Sequence, residues 1–309
     1  MGQGATTGSL VVTLEALKEM HLTPEDIQLI QNDTKTCPDT GMAGASRSLY
    51  MDGNATIIAA NKLLAAMRKE DGTLRTYDEM KAEGIETKYL GRYETNTTPG
   101  LCRLDPNTGI GDPTPAFTYC LNLAEVEVDT KTGKTTVLKF ACVDFVGRIG
   151  NIDAVNGQAY SGIMHGIGFA LKEDYADVKK HANMFGAGTS YIKDVPDDIN
   201  LIHIDGAISD GPFGSSGASE AFQASGHCAV LNGIYNACGV RIHEIPALPE
   251  KVKAGLDAIA KGEKPYEPKK YFLGSDMYEE LENIKENPVQ VGTQSFYVSL
   301  DDPTAERPF

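Results

Sequence analysis

Apolar residues recur every three or four positions in five stretches of the chain, which is the period of an amphipathic helix. The last of these stretches starts at Pro249, and proline is common in the first turn of a helix. A further signal is Thr76 followed by Glu79, the spacing of a capping box. The pattern predicts longer helices over residues 9–20, 54–67, 157–171, 221–237 and 249–261.

Apolar and polar residues alternate well in two other stretches, 117–128 and 135–143. The polar segment 129–134 between them has turn composition, so a β-hairpin is predicted. Shorter strands are predicted at 27–30 and 197–204. Helices interleaved with so few strands predict an α+β fold, with helices packed on small mixed or antiparallel sheets.

The composition changes beyond Gly262, where prolines, an acidic helical piece (275–286) and a polar end follow one another. This change predicts one domain over residues 1–262 and a C-terminal extension over 263–309. A chain of 309 residues is long enough to bury a core of its own.

The formal net charge of −15 is spread along the chain, which disfavours nucleic acid as a partner. No apolar run reaches the length of a membrane span, and the N-terminus lacks the pattern of a secretory signal. The six cysteines and six histidines form no C-x-x-C or H-E-x-x-H motif, so no metal-ligand set is predicted. Free thiols are typical of a reducing compartment, and a cytoplasmic location is expected.

Four glycine-rich segments precede predicted helices: residues 1–4, 41–48, 157–158 and 211–220. Glycines in one such loop usually serve turns or close packing. Four of them together favour a large ligand, one carrying phosphate, held at several helix N-termini. The last loop ends on Glu220, which is either a general base beside that ligand or an ordinary partner of the helix dipole.

These segments resemble the molybdenum hydroxylases, the xanthine dehydrogenase and aldehyde oxidase family, and most of all bacterial aldehyde oxidoreductases. The resemblance runs from Met1 to about Lys261. The residues that carry it are 1–4 (MGQG), 32–38 (NDTKTCP), 44–48 (GASRS), 157–158 (GQ), 214–220 (GSSGASE), 232–242 (NGIYNACGVRI) and 246–252 (PALPEKV). One departure is Ser219, where the family usually has glycine before its catalytic acid.

The resemblance implies the second molybdopterin-binding domain of the large catalytic chain. The implied cofactor is molybdopterin with molybdenum, as the cytosine dinucleotide, and Glu220 is the implied general base. Pterin and phosphate contacts are expected from these residues: Gly2, Gln3, Gly4, Gly44, Ala45, Ser46, Arg47, Ser48, Gly157, Gln158, Ser216 and Gly217.

The implied reaction is oxidation of an aldehyde to a carboxylic acid with oxygen from water. The sequence begins inside the first cofactor loop, so the first molybdenum domain and the [2Fe-2S] domains are expected on a missing part or a partner chain. A split enzyme, a fragment and a remnant remain alternatives at this point. So do a purine or N-heterocycle hydroxylase and a non-catalytic binding module.

Overall fold

The computed structural model describes residues 2–31, 33–41, 43–95, 111, 114, 116–177, 179–264 and 286. The chain divides into two compact units, Met1–Pro265 and Tyr266–Phe309, and the description below concerns the first. Apart from residues 263, 264 and 286, the predicted extension lies outside the described residues, as does most of its predicted acidic helix.

Seven α-helices are found in the described ranges, and together they overlap all five predicted stretches. Four of them begin earlier than predicted, at Ala5, Ser48, Ile152 and Ser219, and the first ends at Ala16 rather than at residue 20. The capping box is confirmed, because the Thr76 hydroxyl accepts a hydrogen bond from the Glu79 amide. The helices are α1 (Ala5–Ala16), α2 (Ser48–Met67), α3 (Tyr77–Ala82), α4 (Ile152–Leu171), α5 (Ser219–Ala224), α6 (Gly226–Cys238) and α7 (Pro249–Ala260).

Three predictions of local structure are wrong. Gly157 does not open a helix: α4 starts at Ile152 behind its N-cap Asn151, so Gly157 lies inside it. The predicted helix 221–237 is two helices separated at Ser225. Residues 27–30 form no strand, because a short apolar run without a neighbouring strand has no ladder to join.

The described strands form one sheet with the order β1-β2-β3. They are β1 (Tyr119–Val128), β2 (Thr135–Phe145) and β3 (Asp198–His203). The hairpin prediction is confirmed, since β1 and β2 are antiparallel. β3 pairs in parallel with β2, and α4 lies in the crossover that such a connection requires.

The main core lies between one face of this sheet and helices α4, α5 and α6. Its most deeply buried side chains, each 0–1% exposed, are Phe140, Cys142, Ala159, Ile163, Ile167, Ala170, Phe222 and Val230. A second cluster around Ile234 and Val252 packs α7 onto α6, and a third around Leu17 and Leu64 joins α1 to α2. None of the helices within the described ranges is both long and apolar enough to cross a bilayer.

Helix α4 contacts α5 and α6 almost backbone to backbone. A Cβ added at Gly162 would lie 2.6 Å from Cβ of Phe222, and one at Gly166 would lie 2.9 Å from Cα of Gly226. Both separations are shorter than carbon atoms tolerate. Glycine therefore sets the spacing of these helices.

The opposite face of the sheet is uncovered in the part of the chain that the structure describes. It is apolar at the end where β1 begins, whereas Glu125, Glu127 and Lys139 lie at its other end. On β1, Tyr119, Leu121 and Leu123 are 62–64% exposed. Their register partners on β2 are also apolar, and Ile202 of β3 continues the row beside Val143. We call this surface the outer sheet face.

Candidate functional site

A cleft of about 910 Å³, part of it open to solvent, lies where α1, α2 and α4 meet three loops. Its walls are mostly apolar, with amide and hydroxyl groups among them. The lining residues are Gln3, Gly4, Ala5, Gly8, Val11, Val12, Ser46, Ser48, Leu49, Val146, Arg148, Ile149, Gly150, Asn151, Ala154, Val155, Gln158 and Ser215–Ser219.

Two helix N-termini line this cleft. Helix α1 starts behind Gly4, which has no side chain with which to cap it. Its first amide groups therefore lack a side-chain acceptor. Helix α4 is capped by Asn151, whose Oδ1 accepts from the Ala154 amide at 2.9 Å. Gln158 extends from the second turn of α4 into the same cleft as Gln3.

The loop before α2 is joined to the start of α5 by a reciprocal pair of hydrogen bonds. The Ser46 hydroxyl donates to Oε2 of Glu220 at 2.9 Å and accepts from the Glu220 amide, also at 2.9 Å. Ala45 and Ser46 both have left-handed backbone angles, which are unusual for residues with a Cβ. This contact joins segments 174 residues apart and fixes Glu220 beside the loop.

Gly217 permits that contact. A Cβ added at this position would lie 1.2 Å from the carbonyl oxygen of Ser46 and 2.4 Å from its carbon. No side chain fits there, so the two loops can lie this close only because residue 217 is glycine.

A third loop completes the wall. The Arg148 amide donates to the Gly214 carbonyl at 2.9 Å, and the Ser215 hydroxyl donates to the Arg148 carbonyl at 2.7 Å. Among the described residues that line the cleft, Arg148 is the only charged one.

The structure brings together seven of the twelve predicted cofactor contacts. Gln3, Gly4, Ser46, Ser48, Gln158, Ser216 and Gly217 all line the cleft. Gly2, Gly44, Ala45, Arg47 and Gly157 belong to the same segments but do not line it. Glu220, the predicted base, is exposed and directly follows the lining residue Ser219.

Sequence reasoning missed Arg148 and Asn151 as lining residues. A signal was present, because Gly147 and Gly150 mark the segment as another glycine-containing loop ahead of a helix. It was missed because the helix start was placed at Gly157, six residues after the N-cap Asn151.

A network of partly buried polar side chains supports α4 next to the cleft. Oδ2 of Asp144 lies 2.7 Å from Nδ1 of His203, and Nε2 of His203 lies 2.8 Å from Oδ1 of Asn156. Asp144 is only 1% exposed, and its Oδ1 has no hydrogen-bond partner among the described residues. Burial raises the pKa of Asp144, while His203 opposes that rise. These hydrogen bonds connect the ends of β2 and β3 to α4, the helix that carries Gln158.

The family model of the molybdopterin cofactor-binding domain matches residues 1–196. This chain belongs to the molybdenum hydroxylase family. The match covers the N-terminal loop that contains Gln3, the loop before α2, and α4. These are three of the segments that line the cleft. The fold prediction is confirmed with it, because molybdenum hydroxylase relatives of known structure share the arrangement of helices and small sheet.

Similar molybdenum hydroxylases include the aldehyde oxidoreductase of Megalodesulfovibrio gigas. It is 42% identical over 83% of this chain and 28% of that protein. The crystal structure of the aldehyde oxidoreductase from Desulfovibrio desulfuricans ATCC 27774 matches with a TM-score of 0.76 and 45% identity, over 82% of this chain and 27% of that one. The probable hypoxanthine oxidase XdhD of Escherichia coli (strain K12) is 28% identical over 84% of this chain and 28% of that protein. The chain thus spans less than a third of the length of these relatives.

Substituting Gly217 with Ala is expected to lower the free energy of unfolding by about 1–3 kcal/mol, the usual cost of forcing atoms into a filled space. Gly157→Ala is the matched control. A Cβ there has nothing within 4 Å, and alanine suits a helix interior better than glycine does. Urea unfolding of both variants measures the difference. Equal stabilities would show that the loops do not approach each other as closely as described.

Proposed function

We propose that this chain is the cofactor-binding and base-donating part of a molybdenum-dependent aldehyde oxidoreductase, which oxidises an aldehyde to a carboxylic acid with oxygen from water. The observation behind this proposal is the convergence of Gln3, Ser46, Gln158 and the 215–219 loop on one cleft, with Glu220 fixed beside it. The similarity to two aldehyde oxidoreductases at more than 40% identity supports it.

The residues of the cleft fit a pterin nucleotide. The amide side chains of Gln3 and Gln158 can each donate and accept, as the edge of a pterin ring requires. The apolar side chains of Val11, Leu49 and Val155 offer flat surfaces for a ring system. Such a mixture of apolar walls and a few polar groups is typical of cofactor sites.

The same cleft fits the phosphate groups that a dinucleotide form carries. Arg148 can pair with phosphate oxygens, and the uncapped N-terminus of α1 offers amide donors and a positive dipole end. In a chain with a net charge of −15, a cationic side chain at this place favours an anionic ligand. The cytosine dinucleotide is accordingly the form we propose.

Glu220 acts as the general base in this proposal. When bound, the molybdenum centre accepts the two electrons that the oxidation releases. The Ser46 hydroxyl donates to one carboxylate oxygen of Glu220, which leaves Oε1 to take a proton. That bond and the Glu220 amide also hold the carboxylate at a fixed place next to the cleft.

We further propose that the remaining part of the enzyme covers the outer sheet face. A contiguous exposed apolar surface usually marks an interface, and a sheet is stable when both faces are covered. The relatives are more than three times as long as the matched region, so a chain with the first molybdenum domain and the [2Fe-2S] domains would supply that cover.

The test is the composition of the protein purified from its native host. We expect equimolar molybdenum and cytosine nucleotide, together with a co-purifying chain that has ferredoxin-type cysteine spacing. Leu121→Glu should lose that chain, because it places a charge on the outer sheet face. Glu127→Gln, which changes an exposed side chain of the same strand, should retain it. Wild-type protein without molybdenum or pterin would overturn the proposal in favour of a non-catalytic binding module.

A second candidate substrate class is N-heterocycles, which the similarity to the probable hypoxanthine oxidase supports. Assaying the same purified complex with an aliphatic aldehyde and with hypoxanthine separates the two. Turnover of hypoxanthine alone would replace the aldehyde in the proposal while leaving the cofactor site unchanged.

A further inference from the structure

Cys120 and Cys142 lie side by side between the sheet and the helices. In the β1–β2 register Cys120 is opposite Asp144 and Cys142 is opposite Asn122, so the cysteines are diagonal neighbours. Their sulfur atoms are 3.4 Å apart. The sequence gives no hint of the pair, because 21 residues separate them.

The two thiols differ in access. Cys142 is 0% exposed and belongs to the main core, whereas Cys120 is half-buried at the second position of β1. In the described sheet β1 is an edge strand, so a small molecule can approach Cys120 without crossing another strand. The contact between the two sulfur atoms lowers the pKa of the Cys120 thiol and raises that of Cys142, which burial raises further. A small disulfide therefore reaches Cys120, the more exposed thiol, first.

We propose that Cys120 and Cys142 form a reversible thiol–disulfide site that reacts with low-molecular-weight disulfides of the glutathione class. The Cys120 thiolate attacks one sulfur of the small disulfide, forming a mixed disulfide and releasing one small thiolate. Cys142 then loses its proton, attacks the Cys120 sulfur and releases the second small thiolate. Two electrons pass from the protein to the small disulfide, and two small thiols leave.

The geometry explains why the bond would be reversible. A disulfide brings its sulfurs to about 2.05 Å, so the pair must close by roughly 1.3 Å. Diagonal positions on neighbouring strands are farther apart than directly opposed ones, so closure requires side-chain rotation and a small movement of the strands. A bond formed with such strain is reduced more readily than an unstrained one.

The other described cysteines provide internal controls. Cys228 is exposed on α6, Cys37 bonds to the Ile30 carbonyl, and Cys238 bonds to the Ile234 carbonyl within the same helix. In the reaction with a small disulfide, Cys228 should stop at the mixed disulfide because no sulfur contact joins it to a second thiol within the described ranges.

The test is incubation of the full chain with oxidised glutathione, followed by peptide mapping under non-reducing conditions. In the expected product, a disulfide links the peptides of Cys120 and Cys142, and the linked pair has lost two hydrogen atoms. Cys228 carries glutathione. Dithiothreitol should reduce both the disulfide and the glutathione adduct. Cys142→Ser should leave Cys120 as a stable glutathione adduct, and Cys120→Ser should leave Cys142 unreacted.

Two results would overturn the proposal: a stable glutathione adduct on Cys120 in the wild-type chain, or a Cys142 that reacts at the same rate without Cys120. The wild-type mapping depends on no variant, so misfolding of a variant does not decide the outcome. The experiment also requires no cofactor, and its result is therefore separate from that of the proposed oxidoreductase function.

Discussion

Replacing Glu220 with Gln is expected to lower the turnover of the assembled enzyme by a factor of about 10² to 10⁴, the usual contribution of a general base. Glutamine has nearly the same shape, and its carbonyl oxygen can still accept from the Ser46 hydroxyl. The loops should therefore stay docked, and the molybdenum and nucleotide content should stay near that of the wild type. Steady-state rates, measured beside metal analysis of the same preparation, test both halves of this expectation.

The matched control is Glu250→Gln, at another exposed acid in the first turn of a helix. If Glu220 served only the dipole of its helix, the two substitutions would have similar small effects on stability and none on rate. A Glu220→Gln enzyme that works at the wild-type rate would remove Glu220 from the mechanism. One that loses its cofactor would assign the residue to binding instead.

Replacing His203 with Leu is expected to lower the free energy of unfolding by about 1–3 kcal/mol, the usual cost of leaving a buried polar group without its hydrogen-bond partner. In the variant, Asp144 loses its described hydrogen-bond partner while it stays buried. The hydrogen-bond network from Asp144 to Asn156 is also interrupted, so the early turns of α4 lose their hydrogen bond to His203. Chemical unfolding at constant pH measures the loss.

The stability lost in the His203→Leu variant should depend on pH and should be smaller in acid than at neutral pH. Burial raises the pKa of Asp144, and only His203 counteracts it. A carboxyl group with a raised pKa in the folded state favours folding when it is protonated, and that contribution disappears as the pH rises through the raised pKa. The His203→Leu variant should therefore be relatively more stable in acid than at neutral pH.

Asp198→Asn provides the control on the same two strands. Its carboxylate faces Lys139 at 3.4 Å, but both side chains are more than half exposed. An exposed ion pair contributes at most about 1 kcal/mol. If this variant lost as much stability as His203→Leu, the large effect could not be assigned to burial of Asp144.

Local signals in the sequence were enough for the hairpin and for most helices. Alternation on both sides of a polar turn specifies β1 and β2, and Pro249 marks the start of α7. The break at Ser225 was missed because the apolar pattern continues across it, although α5 and α6 form separate helices around that residue. The strand predicted at 27–30 failed because an apolar run becomes a strand only where another strand can pair with it.

The sequence was enough to predict which segments form the site, but not how their side chains contact one another. Loops with glycine and small polar residues indicated which parts of the chain meet at one cleft, because seven of the twelve named residues line it. The pairs that fix it, Ser46 with Glu220 and Asp144 with His203, join positions far apart in the chain. No spacing rule covers such distances, so only the folded chain reveals them.

The crossing of α4 with α5 and α6 has a consequence for how the protein can change over evolution. Gln158 belongs to α4 and Glu220 to α5, and the absence of side chains at Gly162 and Gly166 allows α4 to lie close to α5 and α6. A methyl group added at either glycine would push α4 away from its neighbours and change the position of Glu220 relative to Gln158. Over evolution, sequence changes should therefore accumulate in the loops and leave the two glycines unchanged.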